Sequence, residues 1–183
     1  MEVHGLLVTT PLRTACDLGR LLSRDQAFAA LDAMLGLGMF SSEELWNAVD
    51  EHRGMRGVRQ LRGFVPLADG RAQSPGESIT RLRWIDLAVL PRPELQIEVE
   101  RPFGWSYWLD LGVVELLFAV EYDGEEWHRR TPEQRERDRK RRTWLRDERG
   151  WMIEPVTKEN VFGHNRDIES IILNGVREAR RRL

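Results

Sequence analysis

Apolar and polar positions alternate along this chain with two different periods. In the first seventy residues the period is helical. Leu12, Ala15, Cys16, Leu18 and Leu22 mark one face of a helix that Thr10-Pro11 opens, with threonine as cap and proline in the first turn. Ser23 to Gln26 reads as a capping box before Ala27, Ala30, Leu31 and Met34, and Gly36 and Gly38 end that helix. Ser41 to Glu44 reads as a second box before a helix over 45–52, and 56–67 forms a fourth. Asp69-Gly70 is a turn, and 68–74 reads as a linker.

Beyond the linker the pattern changes. Ser74-Pro75-Gly76-Glu77 starts a helix with Ile79, Leu82, Ile85, Leu87 and Leu90, stopped by Pro91 and Pro93. Strand-like runs follow at 95–100, 106–111 and 116–122, the first with period-two alternation. Thr131 caps a long polar helix that Gly150 ends. A fourth strand at 151–156 and an amphipathic helix over 165–182 close the chain. The expected architecture is α/β: a mixed sheet flanked by helices over 71–183, preceded by a small helical segment over 1–70.

Composition narrows the classes. The 183 residues are 41 % hydrophobic and 32 % charged, enough for a core and unlike a disordered chain. No run approaches the ~20 apolar residues of a membrane span. Met1 to Thr10 lacks the basic start and apolar stretch of a signal peptide, and Cys16 is the single cysteine. The expectation is a cytoplasmic protein without disulfides or a membrane partner. The net charge of −2 hides an asymmetry: residues 71–125 carry 5 basic and 10 acidic side chains, whereas 126–183 carry 16 and 11. A basic end after an acidic middle suits a polyanion partner beside a carboxylate cluster, or solvated helix faces.

The carboxylates are specific in place. Asp110 lies near the end of one strand, Glu121 and Asp123 at the end of the next. With a hairpin at 112–115 these acids converge, and residues two apart on a strand share a face. An acid closing a buried strand is costly unless a cation or donors satisfy it. Hard oxygen ligands with water positions suit Mg²⁺ or Mn²⁺, which polarise a phosphodiester and generate hydroxide.

At these residues the chain resembles the very-short-patch-repair-type endonucleases, and closely the domain of unknown function 559 branch of the PD-(D/E)xK restriction-endonuclease-like superfamily. The motifs are Ser74-Pro75-x-Glu77-Ser78; Asp110 followed by Val120-Glu121-Tyr122-Asp123-Gly124 and Trp127-His128; Arg137-Asp138-Arg139 with Leu145; and Gly150-Trp151. The likeness covers about 72–183. It implies a Mg²⁺-dependent DNA endonuclease hydrolysing phosphodiester bonds. Asp110 and Glu121 would be metal ligands, Asp123 a further ligand or water-positioning group, and His128 a proton-transfer or water-orienting residue. Glu77 would be an outer ligand.

The chain also departs from that pattern. Where the superfamily carries its lysine, near Asp123, this chain has aspartate, and a lone Cys16 leaves no counterpart of the repair enzyme's zinc site. The missing lysine favours a second reading: a non-catalytic DNA-binding or regulatory protein on a nuclease-like fold, allied to toxin–antitoxin or phage-defence systems. Arg135, Arg139, Lys140 and Arg142 on the polar helix are the expected phosphate contacts. Bland readings stand beside these: Glu77 as a capping-box glutamate, Asp123-Gly124 as a turn pair, His128 as a surface histidine, and Trp105 and Trp108 as core, with base stacking as their alternative. Val8-Thr9-Thr10-Pro11-Leu12-Arg13-Thr14 with Asp17-Leu18 is similar to the segment before the nuclease-like domain in longer family members, which often begin with a winged helix-turn-helix of the abortive-infection antitoxin type. Residues 1–70 are accordingly expected to form a helical platform or a protein-contact surface rather than a DNA reader.

Overall fold

The computed structural model describes residues 1–102, 104–124 and 131–182. It divides into two compact units, Met1–Ile79 and Thr80–Leu183, with the boundary inside a helix.

The first unit opens with a two-stranded hairpin, β1 (Glu2–Val3) and β2 (Leu6–Leu7), turned through His4 and Gly5 at φ 50° and 78°. Both central residues are left-handed, as the tightest hairpin turns require. Four helices follow: α1 (Pro11–Leu21), α2 (Arg24–Gly36), α3 (Ser42–Ala48) and α4 (Val58–Phe64). Thr10 accepts from the Arg13 N–H, and Ser41 and Glu44 form the complete reciprocal box. Ser23 departs from expectation: its hydroxyl bonds the Gln26 side chain instead of the backbone. Ala15, Cys16, Phe28, Leu31, Leu45 and Leu61 are fully buried between these helices. Phe28 and Phe64 meet edge to face at 5.3 Å.

The second unit is built on a four-stranded mixed sheet flanked by helices. Its strands β3 (Glu94–Glu100), β4 (Ser106–Val113), β5 (Phe118–Tyr122) and β6 (Met152–Val156) lie in that order. The first two pairings are antiparallel and the last is parallel. A parallel step needs a crossover, and α6 (Pro132–Arg149) supplies it; α5 (Pro75–Asp86) comes before the sheet, and α7 (Lys158–Val161) and α8 (Ile168–Arg182) close the chain. The turn between β4 and β5 falls two residues later than expected. Gly112 and Val113 stay in β4, residues 114–116 wind into a short 3₁₀ turn, and Leu117 at φ 48° reverses the chain.

One core joins sheet to crossover: Ile97, Val99, Leu109, Ala119, Leu145 and Trp151, with Tyr107 and Trp144 packed against it. Gly175 of α8 lies against the Phe118 ring, where a Cβ would stand 2.2 Å from it, so this helix approaches the sheet only through glycine. β5 is therefore central: Phe118, Ala119 and Val120 have no exposed surface, and the next residue is Glu121. Among the described residues no helix is long and apolar enough to cross a membrane.

Candidate acid and arginine site

The site begins where the β4–β5 ladder ends. The last facing pair is Leu111 and Val120, and one step further the same register sets Asp110 opposite Glu121. Asp110 Oδ2 accepts from the Tyr122 N–H at 2.8 Å, so this side chain takes over as acceptor where the strands part. The β3–β4 register passes from Leu95–Leu111 to Ile97–Leu109, and Gln96, at φ 51°, lies between. The sheet is thus irregular on both sides of Asp110, which suits a residue type depleted in strands. Asp123 follows β5, its N–H donating to the Val156 carbonyl of β6 at 2.8 Å. Glu121 and Asp123 are 3 % and 7 % exposed.

Two arginines of α6 meet these acids. Arg141 Nη2 donates to Glu121 Oε1 at 2.5 Å, and its Nη1 donates to the Trp108 carbonyl of β4 at 3.2 Å. Arg142 Nε donates to Glu121 Oε2 at 3.0 Å, and its Nη2 to Asp123 Oδ2 at 2.8 Å. Each arginine side chain is 22 % exposed. Burial opposes the charge of Arg142, but its bond to Asp123 and the field of Glu121 outweigh it, and its pKa stands above the ordinary arginine value. Glu121 and Asp123, two apart, are gripped by one guanidinium, as a shared strand face predicts. Asp110, in the middle of β4, lies across from Glu121, so the three acids fall where the β4–β5 ladder stops, at the end of β5.

The remaining candidates are distributed differently. Arg135, Arg139 and Lys140 are exposed on α6, the last two sharing Glu136 at 2.8 and 3.7 Å. Arg142, expected beside Arg135, Arg139 and Lys140 as a phosphate contact, instead turns inward. It lies three residues before the fully buried Leu145, on the side of α6 that faces the sheet. Arg141 was not singled out by the sequence, although its place four residues before Leu145 carried the same signal. Glu77 belongs to the first unit and serves the start of α5: its N–H donates to Ser74 Oγ at 3.1 Å and its carboxylate accepts from Gln73 N at 3.0 Å. His128 lies outside the described residues. Trp105 and Trp108, read as core, are 74 % and 51 % exposed.

Comparison with known proteins places no function on this geometry. No family model matches the chain, and no solved structure matches it. It is 40 % identical over 161 residues to two curated proteins from two strains of Mycobacterium tuberculosis, uncharacterized protein MT2308 and uncharacterized protein Rv2248. The match covers 87 % of this chain but 58 % of theirs, so the chain spans little more than half the length of these relatives.

Proposed function

We propose that the second unit is a DNA-binding protein of endonuclease type, acting on phosphodiester bonds, with its acid cluster closed by arginine. The observation that carries this reading is that Asp110, in the middle of β4, and Glu121 and Asp123, at and just after the end of β5, lie together where the β4–β5 ladder stops. The exposed Arg135, Arg139 and Lys140 of α6 would hold the nucleic-acid backbone through charge, without reading sequence. In the same reading His128 positions or deprotonates the attacking water.

The oxygen donors have the hardness that Mg²⁺ or Mn²⁺ prefers. Their present arrangement does not fit such an ion. Both Glu121 oxygens and one of Asp123 already receive guanidinium N–H groups, and among the described residues no three histidine, cysteine or acidic side chains are set to hold a metal.

The same arginines favour a second reading, a non-catalytic DNA-binding or regulatory protein, in a setting such as toxin–antitoxin or phage defence. There the pairs merely dock α6 on the sheet. Single-turnover nicking of supercoiled plasmid with Mg²⁺ or Mn²⁺ separates the two. Endonuclease chemistry requires wild-type nicking that falls by orders of magnitude in Asp110→Asn and in His128→Ala. DNA binding by a wild type that never nicks establishes the second reading. Nicking that survives Asp110→Asn ends the first.

A further inference from the structure

We infer that the arginine-rich segment from Arg53 to Arg62, which leads from α3 into α4 of the first unit, holds backbone phosphates of a nucleic acid. The inference goes beyond the reading of the second unit and does not depend on its chemistry.

Charge in the first unit is unevenly placed. Residues 1–70 carry seven arginines and nine acidic side chains, and four of those arginines, Arg53, Arg56, Arg59 and Arg62, fall within ten residues. From Arg53 to Ala68 the chain has no acid. The other three arginines are engaged: Arg13 and Arg20 share Asp17, and Arg24 meets Asp25 at 3.9 Å. The four of the segment are exposed. Arg62 meets the exposed Asp50 at 3.7 Å, and among the described residues no carboxylate pairs with Arg53, Arg56 or Arg59. Like charges set so close repel one another until an anion joins them.

The segment is a fixed support, tied at several points to α1. The Met55 and Val58 N–H groups donate to the His52 and Met55 carbonyls, and the Gln60 N–H to that of Gly57. The chain thus advances in three-residue turns that match the three-residue spacing of the arginines. Arg20 Nη1 donates to the Arg56 carbonyl at 3.1 Å, and the Gln60 amide donates to the Gly19 and Leu22 carbonyls at 2.9 and 3.1 Å. Gly57, at φ 78°, packs so closely on the end of α1 that a Cβ would overlap the Arg20 carbonyl. Beside these ties lies an open cleft of about 530 Å³, lined by Gly54, Met55, Gly57, Val58, Arg59 and Gln60.

Phosphate is the anion this chemistry selects, because a guanidinium makes forked, charge-assisted bonds to it and stays charged at any working pH. Of the four arginines, Arg59 lines the cleft; Arg53 and Arg56 precede it and Arg62 follows it along the segment. Such a series suits a row of phosphates better than one compact anion gathered in the cleft. A nucleic-acid backbone supplies that row. Contacts of this kind position a backbone and carry no sequence information.

The test uses the full chain and the fluorescence anisotropy of a labelled duplex across a salt series. R53Q/R56Q/R59Q is expected to weaken binding to unrelated sequences alike. It should flatten the slope of log affinity against log salt by roughly 2–3, at about 0.9 per contact. R13Q, which removes a charge of the same unit from its pair with Asp17, is expected to leave the slope unchanged. Modification by phenylglyoxal, mapped by mass spectrometry, reads the wild type directly: bound duplex is expected to protect Arg53, Arg56 and Arg59. An unchanged slope in a folded triple variant overturns the inference, as does a chain that binds no duplex. Unhindered modification of all three under saturating duplex does the same, and decides alone should the variant not fold. A wild-type melting temperature raised by inorganic pyrophosphate, with the DNA slope unchanged in the triple variant, overturns it in favour of a small phosphate ligand. A slope lowered in this variant but not in R135Q/R139Q/K140Q removes the α6 contact and leaves this one standing; the reverse pattern removes this one and leaves the α6 reading.

Discussion

Arg142 reaches from α6 to Asp123 with a 2.8 Å bond from Nη2 to Oδ2, while its Nε holds Glu121. One side chain thus ties the crossover helix to the end of the central strand. Removing one partner of a buried pair leaves the other charge stranded. Arg142→Ala is expected to destabilise the second unit by about 3 kcal/mol. Arg139→Ala, which removes an exposed side chain paired with Glu136 along the helix surface, should leave unfolding unchanged. Urea denaturation followed by tryptophan fluorescence checks both, and equal effects would show that the inward pair has no special weight.

A second prediction concerns what lets Asp110 face Glu121. Gly112 pairs with Ala119 two positions along the ladder, and a Cβ there would stand 2.4 Å from the Phe118 carbonyl oxygen. That neighbour is backbone in a central strand and has little room to yield. Gly112→Ala is expected to cost about 1–3 kcal/mol as an overpacked site and to shift the amide signals of Asp110 and Tyr122. An unchanged melting temperature together with unchanged signals would refute the tight approach.

Much of this was legible because period and caps agree. The alternation of Leu95, Ile97 and Val99 and the Thr131 and Gly150 boundaries of α6 signal in the sequence what the fold contains, whereas α5 ends at Asp86, before Leu87 and Leu90 and short of the expected stop at Pro91. The acids were legible as well, since aspartate inside a strand and glutamate after five apolar residues call for an explanation. The hairpin β1–β2 was not, because two residues per strand leave no period to detect. The inward turn of Arg141 and Arg142 also escaped, for a physical reason. Ten basic residues between 129 and 149 look alike in sequence. What sets Arg141 and Arg142 apart is their spacing from Leu145, which docks with Trp144 against the sheet. Trp105 and Trp108 were misread as core because aromatic residues near a strand are buried by default; both instead lie exposed.

Acid titration should act on the first unit through Asp17. Its hydrogen bond from Arg13, and a further one from Arg20, hold its carboxyl below the ordinary carboxylate value against the opposing effect of burial. Bonds from the Ser41 backbone and side chain lower Glu44 in the same direction. A depressed folded pKa contributes stability that is present above the unfolded value, about 4 for these groups, and is lost as pH falls through the folded one. The melting temperature of the first unit should therefore drop below about pH 4, and Asp17→Asn should flatten that drop. A variant with the same acid slope as wild type would exclude Asp17 as a contributor.

Cys16 gives an independent reading of the same unit. It is fully buried, and desolvation first, with the charge of Asp17 second, pushes its thiol up to about 11. The thiolate is the reactive species, so at pH 8 a disulfide reagent should leave the native chain unmodified and label it fully in denaturant. Rapid native labelling would show that α1 does not pack as described.

The last prediction addresses the outward side of α6. Arg135, Arg139 and Lys140 are exposed, and the last two share a single glutamate, Glu136, so their charge is incompletely neutralised along the helix. If these side chains hold the nucleic-acid backbone, each displaces condensed counterions on binding. The logarithm of affinity should then fall linearly with the logarithm of salt, and each contact removed should flatten the slope by roughly 0.9 on duplex and 0.7 on single strands. Replacing all three by glutamine should therefore lower the slope by roughly 2–3 and weaken binding to unrelated sequences alike. Stability should barely move, because surface pairs of this kind contribute little to folding. Fluorescence anisotropy with duplexes of different sequence, across a salt series, measures both quantities. A steep slope that persists in the triple variant would move the contact surface elsewhere on the chain. Loss of binding to one sequence only would show that α6 reads bases rather than phosphates.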